Sequence, residues 1–238
     1  VDESASMRLT VALSAAEVEV SAELHLQADP WAAIGVAHGA GTRMDNPFLV
    51  GFAGACASLG LAALCFNFPY SEAGRRVPGP VSHAIATWAA VDEFLRDQIP
   101  GVPIVACGRS YGGRMASMAA AEGRIAPDAL VYLGYPMHPP GGPENPRVEH
   151  LPAIAAPQLF LSGETDPFVA PHEQLTDAVA ACQDATLEWV PGDHSFVVKG
   201  AKQPAVEIGA GLAARTVAFL RARLDAWAST PDRGTNGR

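Results

Sequence analysis

Charge is scarce in this chain. Asp, Glu, Lys and Arg make up 17% of the 238 residues, and the formal net charge is −9. No block of Lys and Arg occurs, which argues against a nucleic-acid surface. Cysteine is scarce too. The four (Cys56, Cys65, Cys107 and Cys182) have no metal-ligand spacing. They read as buried free thiols of a reducing, cytoplasmic compartment rather than as a disulfide framework. The chain has no Walker loop, no H-E-x-x-H, no C-x-x-C and no internal repeat. Gly209-Ala210-Gly211-Leu212-Ala213-Ala214 spells a dinucleotide fingerprint, but inside a terminal helix pattern instead of between a strand and a helix. Neither a metal nor an organic cofactor is expected. Val1 to Ser6 are polar and acidic, unlike a secretory leader. The uncharged stretch Phe48 to Phe66 reaches bilayer length. Gly60 interrupts it, Leu61–Phe66 reads as a separate strand and no basic flank orients it, so no membrane contact is expected.

What is present is apolar sequence, 49% of the residues, arranged in short alternating units. Arg8–Ser14 and Glu17–Leu26 alternate as an edge hairpin, and Trp31–Ala37, Leu61–Phe66, Val102–Cys107, Asp128–Gly134, Pro157–Ser162 and Thr186–Val190 read as further strands. Between them lie helical patterns. One runs from Pro47 to about Leu59 behind an Asn46 cap. Another spans Val81–Gln98 with Ala84, Ile85, Trp88, Val91, Phe94 and Leu95 as its apolar stripe, and the last covers 205–227. Repeated strand–helix units predict a mostly parallel sheet of about eight strands, flanked by helices. One domain over 8–227 is expected, with flexible tails at 1–7 and 228–238.

The most informative junction is Gly108-Arg109-Ser110-Tyr111-Gly112, where the strand Val102–Cys107 gives way to an Ala-rich helical run. Glycines two residues either side of Ser110 remove Cβ atoms that would clash in a strained turn exposing the hydroxyl. The turn also places the Tyr111 amide at a helix start, where unpaired N–H groups favour negative charge. Ser110 is thus a candidate nucleophile, and the Tyr111 amide is half of a candidate oxyanion hole. Alone, the motif also fits a helix-capping serine.

Partners follow in chain order. Asp166 lies just past the strand Pro157–Ser162, in Gly163-Glu164-Thr165-Asp166-Pro167. It is the candidate acid; Glu164 is a local rival, and an Asx turn before Pro167 is the plainer role. His194 follows the strand Thr186–Val190 in a Pro-Gly-Asp-His turn and is the candidate base, ahead of His172 at a helix start. Trp31–Ala37 ends in His38-Gly39-Ala40-Gly41. There glycines allow close backbone approach, Ala40 supplies a second oxyanion amide, and His38 anchors the loop.

With these residues in place the chain resembles the α/β-hydrolases from Arg8 to Trp227. More narrowly it resembles a group of small bacterial hydrolases. These are related to dienelactone-hydrolase-like enzymes and to the hydrolase-like domain of a histone-acetyltransferase complex subunit. The matching segments are His38–Gly41, Phe66-Asn67-Phe68-Pro69-Tyr70, Gly108–Arg114, Gly134–Gly141, Gly163–Phe168 and Gly192–Phe196. Tyr111 stands where the group more often has Met. The resemblance implies the α/β-hydrolase fold and a Ser110–His194–Asp166 triad acting on esters or thioesters, with no cofactor.

The Pro-rich stretch Tyr135–Pro157 lacks a long amphipathic helix, so no sizeable cap is expected and an open site suits small acyl substrates. Candidate substrate-binding residues are His38, Gly39, Gly41, Arg75, Arg76, Arg109, His138 and Arg147. The arginines around these segments, Arg43 and Arg114 among them, either bind an anionic group or brace loops through internal ion pairs. Oligomeric state is open. Peptidase, dienelactone-type or acyltransferase chemistry remains an alternative on the same residues, and a hydrolase-like interaction module without turnover is the rival of another class.

Overall fold

Alternation builds one edge of the sheet. In β1 (Glu3–Ala12) and β2 (Glu17–Leu26), Leu9, Val11, Val20, Ala22 and Leu24 turn inward, and the two strands pair antiparallel with Leu9 opposite Val20. The computed structural model describes residues 3–224. Its first strand corrects one expectation: residues 3–7, read as tail, pair with residues 22–26 of β2. The alternation of Ala5, Met7, Leu9 and Val11 simply continues past Arg8, and a ten-residue partner is there to receive it. The expected tail at 228–238 lies outside the described residues.

The remaining strands are β3 (Ala32–Ala37), β4 (Leu61–Phe66), β5 (Ile104–Arg109), β6 (Ala129–Leu133), β7 (Gln158–Gly163) and β8 (Ala185–Val190). The sheet order is β1-β2-β4-β3-β5-β6-β7-β8, antiparallel at the β1 and β2 pairings and parallel from β4 to β8. β3, β4, β6 and β7 are buried along their whole length, as their unbroken apolar runs require when helices cover both faces.

The helices are α1 (Pro47–Ser58), α2 (Pro69–Glu72), α3 (Val81–Gln98), α4 (Tyr111–Ala121), α5 (His172–Ala180) and α6 (Ala205–Leu224). Asn46 caps α1, its Oδ1 accepting from Phe48 N at 3.0 Å. α3, α4 and α5 cover one face, where Val91 and Trp88 of α3 crowd Gly35 so closely that a Cβ there would lie 2.9 Å from Val91. α1 and α6 cover the other face. The stretch Phe48–Phe66 is divided between α1 and β4, and among the described residues no helix is long and apolar enough to cross a membrane.

Between Tyr135 and Pro157 the only helical element is a 3₁₀ turn, Leu151–Ala153, so no cap stands over the sheet. The chain leaves β3 for β4 on one side, then crosses to β5 on the other side of β3. Such a reversal opens a crevice at the carboxyl ends of the strands. The loops after β3 and β5 meet there.

Candidate active site

Ser110 sits between β5 and α4 with φ 48° and ψ −116°, a left-handed conformation that costs a non-glycine residue about 1–3 kcal/mol. Its neighbours make the turn possible. A Cβ at Gly108 would stand 2.3 Å from Gly113 N, and one at Gly112 would stand 2.7 Å from Ala37 Cβ and from the His38 carbonyl oxygen. Both positions therefore accept only glycine. The turn is tied to β6, Ser110 N donating to Leu133 O at 3.0 Å, and Trp88 Nε1 donates to Gly112 O at 3.2 Å.

The Ser110 hydroxyl is 2.8 Å from His194 Nε2, and His194 Nδ1 is 2.7 Å from Asp166 Oδ2. A carboxylate only accepts, so Nδ1–H donates to Asp166, and Nε2 is left to accept from the serine. Asp166 is 1% exposed, and Phe168 N donates to its other oxygen at 2.8 Å. The His194 loop is held by Asp193, whose Oδ1 accepts from Ser195 N at 2.8 Å and Val197 N at 3.1 Å. The imidazole stacks on Phe168 at 4.1 Å between centroids. Behind it lies Gly134 (φ +71°), where a Cβ would come within 3.5 Å of Nδ1.

Across Ser110 lies the loop after β3. His38 is fully buried. Its Nδ1 donates to Gly39 O at 2.8 Å, and its Nε2 accepts from Phe68 N at 3.2 Å. Burial pushes its pKa down to about 4, outweighing the Gly39 bond that favours the charged ring. Gly39 O also accepts from Thr42 Oγ1 at 2.9 Å and Thr42 N at 3.3 Å. In a trans peptide the carbonyl and the next N–H point in opposite directions, so fixing Gly39 O aims the Ala40 amide away from His38. A Cβ at Gly39 would lie 3.7 Å from Ser110 Cβ, which brings this loop against the serine. The Tyr111 amide, first in α4, has no intrahelical acceptor.

The structure thus brings Ser110, His194 and Asp166 together and sets the loop carrying Ala40 beside them. Glu164 is exposed with its backbone N on Val190 O, and His172 stacks on Trp189 at 4.1 Å away from the serine. Three expected substrate contacts need correction. Arg109 is a brace: its Nη2 donates to Ser195 Oγ at 2.8 Å, and the guanidinium lies 4.7 Å from the centre of the Phe48 ring. His38 and His138 have no surface to offer a ligand, each being fully buried with Nδ1 on a neighbouring carbonyl, that of Gly39 and of Pro139. Arg75 and Arg76 are exposed on the loop after α2, and the Arg76 carbonyl oxygen passes Gly41. Arg147 is half-buried, its carbonyl accepting from Tyr135 Oη at 2.8 Å. Arg43 braces Ser71 O at 2.7 Å.

Two supports had little sequence signal. Asn67 is buried after β4, where its Oδ1 accepts from Met44 N at 3.0 Å and its Nδ2 donates to Glu72 at 2.8 Å. Thr42 holds Gly39. Only Asp193 had a local cue, a short acceptor at a turn beside glycine.

Residues 31–218 match a family described as "Alpha/beta hydrolase domain". Among solved structures, the dienelactone hydrolase from Anabaena variabilis is 23% identical with a TM-score of 0.68, covering 91% of this chain and 98% of its own. A lid-less α/β serine hydrolase from Xanthomonas campestris is 20% identical at a TM-score of 0.66, covering 96% and 97%. Est1E from Butyrivibrio proteoclasticus, solved with ferulic acid, is 16% identical at 0.69, covering 90% and 99%. At such identities the likeness is one of fold, the mixed eight-stranded sheet of α/β-hydrolases.

Proposed function

Because the chain belongs to the alpha/beta hydrolase domain family, we propose that it is a serine hydrolase cleaving small carboxylic esters or thioesters through an acyl-enzyme. The observation that carries this reading is the His194 ring, held between Ser110 Oγ at 2.8 Å and Asp166 Oδ2 at 2.7 Å.

In this mechanism Ser110 Oγ attacks the acyl carbon while its proton passes to His194 Nε2. Asp166 keeps Nδ1 protonated and stabilises the imidazolium. The carbonyl oxygen becomes an oxyanion facing the Ala40 and Tyr111 amides, donors of a kind whose loss costs about 10²–10³ in turnover. Collapse expels the alcohol or thiol, which takes the proton from Nε2. Water then attacks the acyl-enzyme, giving up its proton to His194, and Ser110 leaves with that proton while the carboxylic acid departs. Ferulic acid, bound in Est1E, belongs to the class of product this cycle releases. No metal or organic cofactor enters any step. The lack of a cap over the crevice favours small or exposed acyl groups.

Labelling with a fluorophosphonate, read by intact mass and peptide mapping, tests the reading. The expected result is rapid modification of Ser110 alone, lost in Ser110→Ala and in His194→Ala. A folded protein that stays unlabelled overturns it.

A further inference from the structure

Beside Ser110 lies a group of hydrogen-bond donors that the proposed chemistry leaves unused. Arg114, one helical turn along α4, donates its backbone N–H to Ser110 O at 3.1 Å. Helical side chains lean toward the N-terminus, which directs Arg114 toward the end of α4 that carries the serine. Its Nε is buried without a hydrogen-bond partner, and among the described residues no carboxylate stands within ion-pair distance of Arg114 or Arg147. Arg8 pairs with Glu72 at 2.6 Å and Arg96 with Asp92 at 2.8 Å, whereas Arg75, Arg76, Arg109, Arg124 and Arg221 share the lack of a carboxylate among the described residues. What sets Arg114 apart is its buried, unpartnered Nε.

The segment that carries Arg147 is tied down near Arg114. Ser117 Oγ, one turn beyond, donates to Arg114 O at 2.8 Å and lies 2.7 Å from His150 Nε2, while Tyr135 Oη donates to Arg147 O at 2.8 Å. Ser117 thus ties His150 to α4, and Tyr135 ties Arg147 to the segment after β6. Burial draws the Arg114 pKa below its ordinary value, and the charge of Arg147 adds to that effect. Glu149 is close enough to oppose it, but is exposed and outside ion-pair distance.

More donors stand alongside. Tyr111 is three residues before Arg114 on the same helix face, and its ring meets Tyr70 at 6.2 Å. Tyr70 Oη is buried and completes no hydrogen bond, though the Gly41 backbone lies near. Burial lifts both phenols to about 12, so they remain donors. Phenol oxygens can accept as well as donate, yet Arg114 Nε is bonded to neither ring, and a buried donor left unpaired fits an acceptor brought by a ligand.

We infer that Arg114 and Arg147, with the Tyr111 hydroxyl, form a carboxylate-binding subsite next to Ser110, and that the preferred substrates are short esters carrying a free carboxylate. The inference rests on the reading of Ser110 as nucleophile for its catalytic half, and on binding alone for the other. Arginine suits the role because its planar fork meets both carboxylate oxygens. The charge belongs either to the acyl part or to the alcohol part, and matched substrate pairs separate the two.

The acyl arm compares 4-nitrophenyl hemiglutarate with 4-nitrophenyl pentanoate. The alcohol arm compares 4-acetoxybenzoate with 4-acetoxybenzamide, and Ser110→Ala supplies the background rate in each. The expected result is a kcat/KM preference for the anionic member of one pair, cut about 10- to 100-fold by Arg114→Gln and by Arg147→Gln and partly restored in Arg114→Lys. No preference in either arm, or a preference that survives in folded variants, overturns the subsite.

Calorimetry of glutarate against glutaramide on Ser110→Ala protein needs no turnover. Selective glutarate binding lost in Arg114→Gln supports the subsite even if no ester is cleaved, in which case the hydrolase reading alone fails. Equal binding of the two ligands overturns the subsite and leaves the hydrolase reading standing.

Discussion

His38 and His194 stand at the carboxyl ends of parallel strands, on either side of Ser110, and their surroundings are opposite. The His38 ring is sealed in, edge-on to Phe68 at 5.0 Å, with both nitrogens on backbone groups. The His194 side chain keeps 18% of its surface, and both of its nitrogens meet side chains, a carboxylate and a hydroxyl. Backbone partners have fixed donor and acceptor roles, so they lock one tautomer and leave no route for a proton. An acid on one nitrogen and a hydroxyl on the other let the ring take a proton and return it. Strand-end position is shared; the chemistry of the partners separates an anchor from a base.

The sharpest way to break the comparison is to delete each ring in turn. His194→Ala is expected to lower ester turnover by about 10⁴-fold or more while urea unfolding shifts by about 1–2 kcal/mol, because the ring borders solvent and water can take its place on Asp166 Oδ2. His38→Ala is expected to do the reverse. Stability falls by about 2–4 kcal/mol, since a cavity opens and Phe68 N loses its buried acceptor. Turnover per folded molecule falls by only about 10- to 100-fold as the Ala40 amide loosens. Equal stability losses in the two variants would sink the distinction.

What the sequence made legible follows the same division. Ser110, Asp166 and His194 each stand just past an apolar strand in a glycine turn, a pattern readable locally, and the fold brings their side chains within hydrogen-bond distance. Strands and the longer helices were likewise readable because their periodicity is local. The choice between Asp166 and Glu164 was harder, because the two share one turn. In the folded turn the Asp166 carboxylate reaches His194 Nδ1, and Glu164 is exposed. Long-range arginine partners were not legible. Arg109 reaches Ser195 from 86 residues away, and nothing near Arg109 in sequence indicates that brace. α2, four residues long, is too short to show a period. His38, His138 and Arg109 neighbour the site in sequence, but burial takes the two histidines out of reach and Arg109 is engaged by Ser195 and the Phe48 ring.

A second expected difference lies in pH. The folded pKa of His38, about 4, is below its ordinary value of 6.5, so the unfolded chain binds the proton first. The stability gained by keeping this ring neutral is fully present above pH 6.5. It is lost as pH falls through that value toward 4, an amount on the order of 3 kcal/mol. His150, brought down to about 4 by burial and then by Arg114, titrates in the same window and the same direction. Urea unfolding from pH 7 to pH 4.5 should therefore show stability declining by up to two protons' slope. His38→Gln should remove one of them and His150→Gln the other. A slope unchanged in His38→Gln would mean that the ring is not held neutral by the fold.

The smallest effect sharpens the comparison most, because it leaves both rings in place. Gly39 O has three donors, and the Thr42 hydroxyl at 2.9 Å can be deleted without touching His38. If the loop anchors chemistry by aiming the Ala40 amide, Thr42→Val should cost about 1 kcal/mol of transition-state stabilisation, close to fivefold in kcat. KM should barely move, since the ground-state carbonyl depends little on that amide. Thr42→Ser keeps the hydroxyl and should restore the rate. A loss shared by kcat and KM, or a serine variant as slow as valine, would assign Thr42 to packing alone. The aim of the amide would then rest on His38, whose ring, although it exchanges no proton, still sets where negative charge can form.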